Sequence, residues 1–444
     1  MTSPFTSAPI EPTTALPDCV ELGVWTKIPD PPPYSLRLKL NEVAKKESRA
    51  IKERGAMTFH TVGCTGCHAD QQATIRVATT MAVQGKHPQR FGGTQAAVMA
   101  SFLYHLGDVV YKHDKDTAGE QSPLPLQETQ HDFAQLYNAQ FYAPYASYAA
   151  PIFAVAGNHD GKNRDPDGPF RKSAIHHFLK NFCGSEDGGP PDNQCSARPA
   201  MTQPYPYWLF QTPLAYFIGL YTNVNNAGQL DNPEEEDQPQ YRWLVQTLRD
   251  IKAAKEKRAV FVAVHYPPYS AAVNFLQRGD PNLGPTPRPW GKSLEPLGML
   301  LQQAFRASGQ FPDAVFSAHA HHYQRLTYTH ANGRQIPYLI AGGGGHAPVE
   351  KLSRPCLKKD QTASRTAGPA AVVFPPLLKL PPGDRVDLAA FNDTDHGFLR
   401  ITLDHNKHRL TGEYFTAYPS ASTPATLPAL NDSFTLDLRS HTVS

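Results

Sequence analysis

An α/β fold follows from three features of this 444-residue chain. Short apolar runs alternate with helical patterns, and polar, metal-loving residues stand directly after several of those runs. No apolar stretch is long enough to cross a membrane. A chain of this length can bury a large core, and length alone permits two or three domains. With 42 Lys plus Arg against 40 Asp plus Glu, the formal net charge is +2, which argues against nucleic acid or an anionic membrane as the main partner. The first thirty residues are rich in Pro and Thr and lack an apolar h-region, so no secretory signal is recognisable and a cytoplasmic location is favoured. Six cysteines are too few for a disulfide scaffold. Cys183 and Cys195 bracket a loop rich in Gly, Pro and Asp and would pair in an oxidising compartment; free thiols are the preferred reading.

Along the chain, residues 1–34 read as an irregular arm containing Pro31-Pro32-Pro33. Residues 41–55 then read as a surface helix, with Asn41 as N-cap, Gly55 as C-cap and a face dense in Lys, Arg and Glu. Strands are expected over 57–62, 102–106, 151–156, 216–220, 260–264, 314–317 and 338–341. Tyr241, Leu244, Val245, Leu248 and Ile251 keep one apolar face at helical spacing, as do Leu297, Leu300, Leu301 and Phe305. The loops over 160–213, 270–289 and 347–382 are long and hold many of the 42 prolines, as lids or inserts do. Residues 397–403 and 433–436 alternate like strands that return to a sheet, and no internal repeat is visible. The organisation expected is an arm and helix over 1–55 and a single catalytic domain over 56–440.

Five stretches carry the chemistry. They are Gly63-Cys64-Thr65-Gly66, Gly107-Asp108-Val109-Val110-Tyr111, Gly157-Asn158-His159-Asp160, Val264-His265 and His319-Ala320-His321. Asp108, Asn158, His265 and His319 each follow an expected strand, and in open α/β sheets ligands bind beyond the carboxyl ends of strands. Asp, Tyr, Asn and three His make a mixed oxygen and nitrogen set suited to two adjacent borderline or hard cations. Such a pair, bridged by a carboxylate, polarises a phosphoryl oxygen and activates water. His159, next to Asn158, suits a general acid or a stabiliser of transition-state charge, and Asp160 is a candidate to orient its imidazole. His319 and His321, two residues apart, point the same way if their segment is extended. Singly, each piece has a plainer reading: a Gly-Asp turn, a loop of turn formers, a hydrogen-bonded strand-end His, a half-buried Tyr. Their joint occurrence in this order favours the metal reading.

Those stretches, with His319-Ala320-His321-His322-Tyr323-Gln324-Arg325, resemble the calcineurin-like metallophosphoesterases, and within them most of all the purple acid phosphatases. Gln240-Tyr241-Arg242-Trp243-Leu244, Pro267-Pro268-Tyr269 and Gly342-Gly343-Gly344-Gly345 add to the likeness, which runs from about Met57 to about Leu438. The resemblance implies an αββα sandwich of two mixed sheets flanked by helices, and hydrolysis of phosphate esters by a dinuclear centre of Zn, Fe or Mn. It implies that Asp108 bridges both metals, that Tyr111 and His321 bind the first, and that Asn158, His265 and His319 bind the second. His159 matches the substrate-facing histidine. The substrate expected is a small-molecule or protein-borne phosphate ester.

Cys64 is the main departure, because the family supplies an Asp ligand for the first metal there. A thiolate keeps the charge but is a soft ligand that favours Zn²⁺ over ferric iron or Mn²⁺. His68 and Asp70 are candidates to fill the position instead. Ala318 replaces the Gly that usually opens the last motif, and 270–279 contains none of the family's extra active-site histidines. Cys64-Thr65-Gly66-Cys67-His68 also matches the attachment sequence of c-type haem, a reading that requires export and is not adopted. The function expected is therefore metal-dependent hydrolysis of phosphate esters. The alternative is a degenerate member of the fold with one metal or none, which binds a phosphorylated ligand without efficient turnover. His322, Tyr266, Tyr269 and Lys162 are further pocket candidates.

Overall fold

The computed structural model describes residues 31–32, 35–66, 71–111, 135–160, 175–184, 200–222, 229–231, 237–271, 297–346, 348–352, 370–371, 380–417 and 428–444. The arm over 1–30, much of each long loop, and Cys67, His68, Asp70, Lys162 and Cys195 lie outside the described residues. The strands among the described residues, numbered along the chain, are β1 (Arg37–Lys39), β2 (Ala56–Val62), β3 (Ala100–His105), β4 (Ile152–Ala154), β5 (Trp208–Gln211), β6 (Ala215–Gly219), β7 (Ala259–Ala263) and β8 (Ala314–Ser317). They continue with β9 (Tyr323–Thr329), β10 (Gln335–Ala341), β11 (Ala370–Ala371), β12 (Arg385–Asn392), β13 (Gly397–Asp404), β14 (Arg409–Thr416), β15 (Leu430–Asp437) and β16 (Thr442–Val443).

Two mixed sheets result. One has the order β1-β5-β6-β7-β8-β10-β9-β12-β11, and the other β16-β15-β14-β13-β2-β3-β4. Parallel pairing joins β6, β7, β8 and β10 in the first sheet and β2, β3 and β4 in the second. The period-2 alternation of these strands explains the layering. In β7, Ala259, Phe261 and Ala263 face the other sheet, while Val260 and Val262 face the helices Pro239–Ala253 and Leu297–Ser308. In β2, Met57 and Phe59 face the inter-sheet core, while Val62 packs with Val77, Ala78 and Met81 of the helix Gln72–Lys86. Strands buried on both faces read as near-continuous apolar runs, which is why they stand out in the sequence. Phe59 centres the inter-sheet core, stacked on Phe102 at 5.2 Å and edge-on to Phe217 at 5.0 Å. The fold is thus an α/β sandwich with helices outside both sheets.

Three expectations need correction. The helix expected over 41–55 is two pieces, Leu40–Val43 and Lys45–Arg54, broken at Ala44, whose φ of −140° is not helical. Asn41 lies inside the first piece, and the N-terminal bond is Lys39 N–H to Glu42 at 2.9 Å; Gly55 does close the second with a left-handed φ of 65°. Residues 37–39 pair in parallel with β5, and Leu40 and Ile51 are buried in the inter-sheet core, so this segment is packed into the sandwich. The helix Gln72–Lys86 has no counterpart in the expectation: its buried positions include Thr74, Thr80 and Gln84, which blur the apolar stripe. No helix among the described residues is long and apolar enough to cross a membrane.

Candidate metal centre

The parallel strands of both sheets bring their carboxyl ends to one place. Backbone bonds stitch the following loops together: Gly63 N–H to Ala341 O at 2.9 Å, Cys64 N–H to Gly107 O at 2.9 Å, Thr65 N–H to Asp108 O at 3.1 Å and Ala318 N–H to His265 O at 3.0 Å. Close approach explains the glycines that open two motifs. Gly107 has φ +89°, and a Cβ there would lie 2.6 Å from Gly157 N and 2.7 Å from His265 Nδ1; a Cβ at Gly157 would meet the Asp108 carboxylate. Among the described residues five non-glycines have a left-handed backbone, and three are Cys64 (φ 55°), Asp108 (φ 53°) and His319 (φ 63°). Each such conformation costs on the order of 1–3 kcal/mol, so its concentration at one spot points to function.

Two donor groups share Asp108. In one, ligand atoms of Cys64, Asp108 and His321 lie within 4.8 Å of one another; in the other, those of Asp108, His265 and His319 do. Tyr111 belongs to the first, its hydroxyl donating to Asp108 Oδ2 at 2.8 Å and lying 3.2 Å from His321 Nε2. Asn158 belongs to the second, its Oδ1 3.0 Å from His265 Nε2 and 2.9 Å from His319 Nδ1, while those two nitrogens are 3.2 Å apart. His265 Nδ1 donates to Leu106 O at 2.8 Å, which turns the Nε2 lone pair of the neutral ring toward this cluster. Lone pairs of Asp108, Asn158, His265 and His319 therefore converge with few protons between them, an arrangement suited to a cation. His319 and His321 do not share an extended segment as expected. The left-handed turn at His319 sends one imidazole to each group.

Electrostatics agree with an anion awaiting positive charge. Burial acts to raise the Asp108 carboxyl, but His265, 3.3 Å away, and His159 and His319 hold it well below the usual range. Burial lowers His265 and the Asp108 charge more than offsets this, so its pKa is raised. Burial and His265 push His319 down; burial and Asp108 push both the Cys64 thiol and the Tyr111 phenol up. Burial and Asp108 raise Asp160 to about 7. Its carboxylate accepts the backbone N–H groups of Val109 at 3.0 Å and Gly157 at 2.8 Å, so Asp160 ties the Asp108 and Asn158 loops together. His159 is half-buried, its backbone N–H donating to Asp108 Oδ1 at 2.9 Å and its ring centroid 4.3 Å from that of Tyr111.

Of the other pocket candidates, Tyr266 lies at the centre, 4.2 Å from the His319 ring. Tyr269 is buried against Tyr338 at 4.9 Å, and His322 is buried between Glu350 O and Gln324, so both belong to the packing. Sequence reasoning missed two residues. His346 stacks flat on Tyr111 at 3.3 Å, stands edge-on to His321 at 4.9 Å, and donates from Nδ1 to Gly66 O at 2.7 Å. Its position directly after Gly342-Gly343-Gly344-Gly345 was the available signal. Glu350 accepts the His321 backbone N–H at 3.1 Å, with nothing in its local sequence to mark it.

The family model described as calcineurin-like phosphoesterase matches residues 60–323. No curated protein matches the chain by sequence. Among solved structures the chain is similar to "GAP50 the anchor in the inner membrane complex of Plasmodium", with 13% identity, a TM-score of 0.43, and coverage of 84% of this chain and 88% of that one. The matched segment, more than half of the chain, contains Cys64, Asp108, Tyr111, Asn158, His265, His319 and His321, and the chain belongs to the calcineurin-like phosphoesterases.

Proposed function

We propose that this chain is a metal-dependent hydrolase of phosphate esters, built on two cation positions that share Asp108. The observation that carries the reading is the pair of donor groups meeting at that one carboxylate, at the ends of parallel strands from both sheets. Cys64, Tyr111 and His321 hold the first position; Asn158, His265 and His319 hold the second. Bound there, cations polarise a phosphoryl oxygen and lower the pKa of water. His159 gives a proton to the leaving group or stabilises its developing charge. Asp160 holds the Asp108 and Asn158 loops in register through backbone N–H groups. Tyr111 and the Tyr323-Gln324-Arg325 continuation support an arrangement like that of purple acid phosphatases, with zinc, iron or manganese as occupants and a small-molecule or protein-borne phosphate ester as substrate.

The test is hydrolysis of a panel of phosphomonoesters and diesters after loading with Zn²⁺, Mn²⁺ or Fe. Turnover that depends on metal and disappears with Asp108→Ala supports the reading. Metal loading without turnover on any ester favours the degenerate member of the fold, for which Cys64 in place of the family's Asp is the specific argument.

A further inference from the structure

We infer that the first cation position is built for a thiophilic divalent ion, with Cys64 binding as a thiolate, so that the two positions sort metals by softness. The inference concerns the same centre and rests on its reading as a two-cation site. The first group combines the Cys64 sulfur with the Asp108 carboxylate, the Tyr111 oxygen and the His321 nitrogen. The second has Asp108, Asn158, His265 and His319, oxygen and nitrogen only. One sulfur is the difference, and thiolate donors select Zn²⁺ and softer ions where carboxylate and amide oxygens do not.

Cys64 is aimed, not merely packed. Its left-handed φ of 55° is held by bonds at both ends of the residue, Cys64 N–H to Gly107 O at 2.9 Å and His346 N–H to Cys64 O at 3.1 Å. The sulfur itself accepts the His319 backbone N–H at 3.2 Å, a contact that favours negative charge on sulfur. A small apolar filler would have no reason to hold this backbone beside a carboxylate, a phenol and an imidazole. Binding is a simple exchange: the S–H bond breaks, the sulfur–cation bond forms, and the proton leaves to solvent.

The experiment uses the full chain stripped of metal by chelator. Titration with Cd²⁺ as the probe is expected to give a sulfur-to-cadmium charge-transfer absorption saturating at one equivalent in wild type and in Cys67→Ser, and absent in Cys64→Ser. Competition between Zn²⁺ and Mn²⁺ should favour Zn²⁺ at the first position at least about tenfold less in Cys64→Asp than in wild type. X-ray absorption of the zinc-loaded wild type needs no variant, and should show a sulfur neighbour near ~2.3 Å. A shell of oxygen and nitrogen alone, or a band that survives Cys64→Ser and vanishes with Cys67→Ser, overturns the inference. Cys64-dependent cadmium binding without hydrolysis of any ester would keep the inference and remove the hydrolase reading; hydrolysis without sulfur ligation would do the reverse.

Discussion

His159→Ala separates a catalyst from a ligand. The substitution keeps the backbone N–H that donates to Asp108 Oδ1 at 2.9 Å, so the carboxylate shared by the two groups retains its anchor. What is lost is a half-buried imidazole whose ring lies 4.3 Å from that of Tyr111. An aromatic contact of this kind contributes about 0.5–1.5 kcal/mol, small beside the roughly 5–15 kcal/mol that holds a domain together. The protein should fold and keep its full metal content. Turnover should fall by about 10²–10⁴-fold, the range for loss of a general acid or charge stabiliser. At 1.36 kcal/mol per tenfold this is about 2.7–5.4 kcal/mol of barrier. The assay pairs elemental analysis with kcat on two aryl phosphates, one with a good and one with a poor leaving group; the poor one should suffer more. Metal lost in proportion to activity would refute the reasoning and make His159 a ligand.

Three further outcomes follow from particular contacts. Glu413→Ala strands the fully buried Arg400, which pairs with Glu413 at 2.9 Å, and should cost on the order of 3–5 kcal/mol in a denaturant melt; a loss under ~1 kcal/mol would count against the pair's role in clamping 88–92 to the second sheet. Burial lowers the His60 pKa to about 3, and the neutral ring donates from Nε2 to Gln84 Oε1 at 3.0 Å and accepts the Tyr148 hydroxyl at 2.9 Å. The unfolded chain therefore takes up the proton first: this stability is complete above pH 6.5 and is lost as pH falls toward 3, by up to about 2 kcal/mol at pH 5. Equal wild-type and His60→Gln slopes in metal-free melts would sink the assignment. His346→Ala should weaken the first cation about 10–100-fold while sparing the second, because it removes the ring stacked on Tyr111 and the bond to Gly66 O; uniform weakening in competition titrations would argue otherwise.

The strands that position the centre were legible because both of their faces are buried, so 259–264 and 314–317 stand out as largely apolar runs that end at their metal-loving residues. What escaped depends on tertiary burial. Gln72–Lys86 buries Thr74, Thr80 and Gln84 beneath the second sheet, and β9 carries Gln324 and Arg325 among its apolar residues, so neither pattern announces its element. Local conformation escaped too: only the fold reveals that His319 turns left-handed, which is how two histidines only two residues apart reach different groups. His346 and Glu350 reach the centre through contacts with residues far away in sequence, Gly66, Tyr111 and His321. Cys64 was visible at once as a departure from the family, and its geometry sharpens the question it poses.

The central claim is that one carboxylate serves two cations, and metal stoichiometry of Asp108→Ala tests it most directly. The variant removes the Oδ2 oxygen that lies both 2.8 Å from the Tyr111 hydroxyl in one group and 3.3 Å from His265 Nε2 in the other. Wild type loaded with Zn²⁺ should carry two equivalents per chain and Asp108→Ala neither, with a circular dichroism spectrum unchanged by the substitution. A folded Asp108→Ala variant that keeps both equivalents, or loses only one with the other bound as tightly as before, would contradict the shared-carboxylate account.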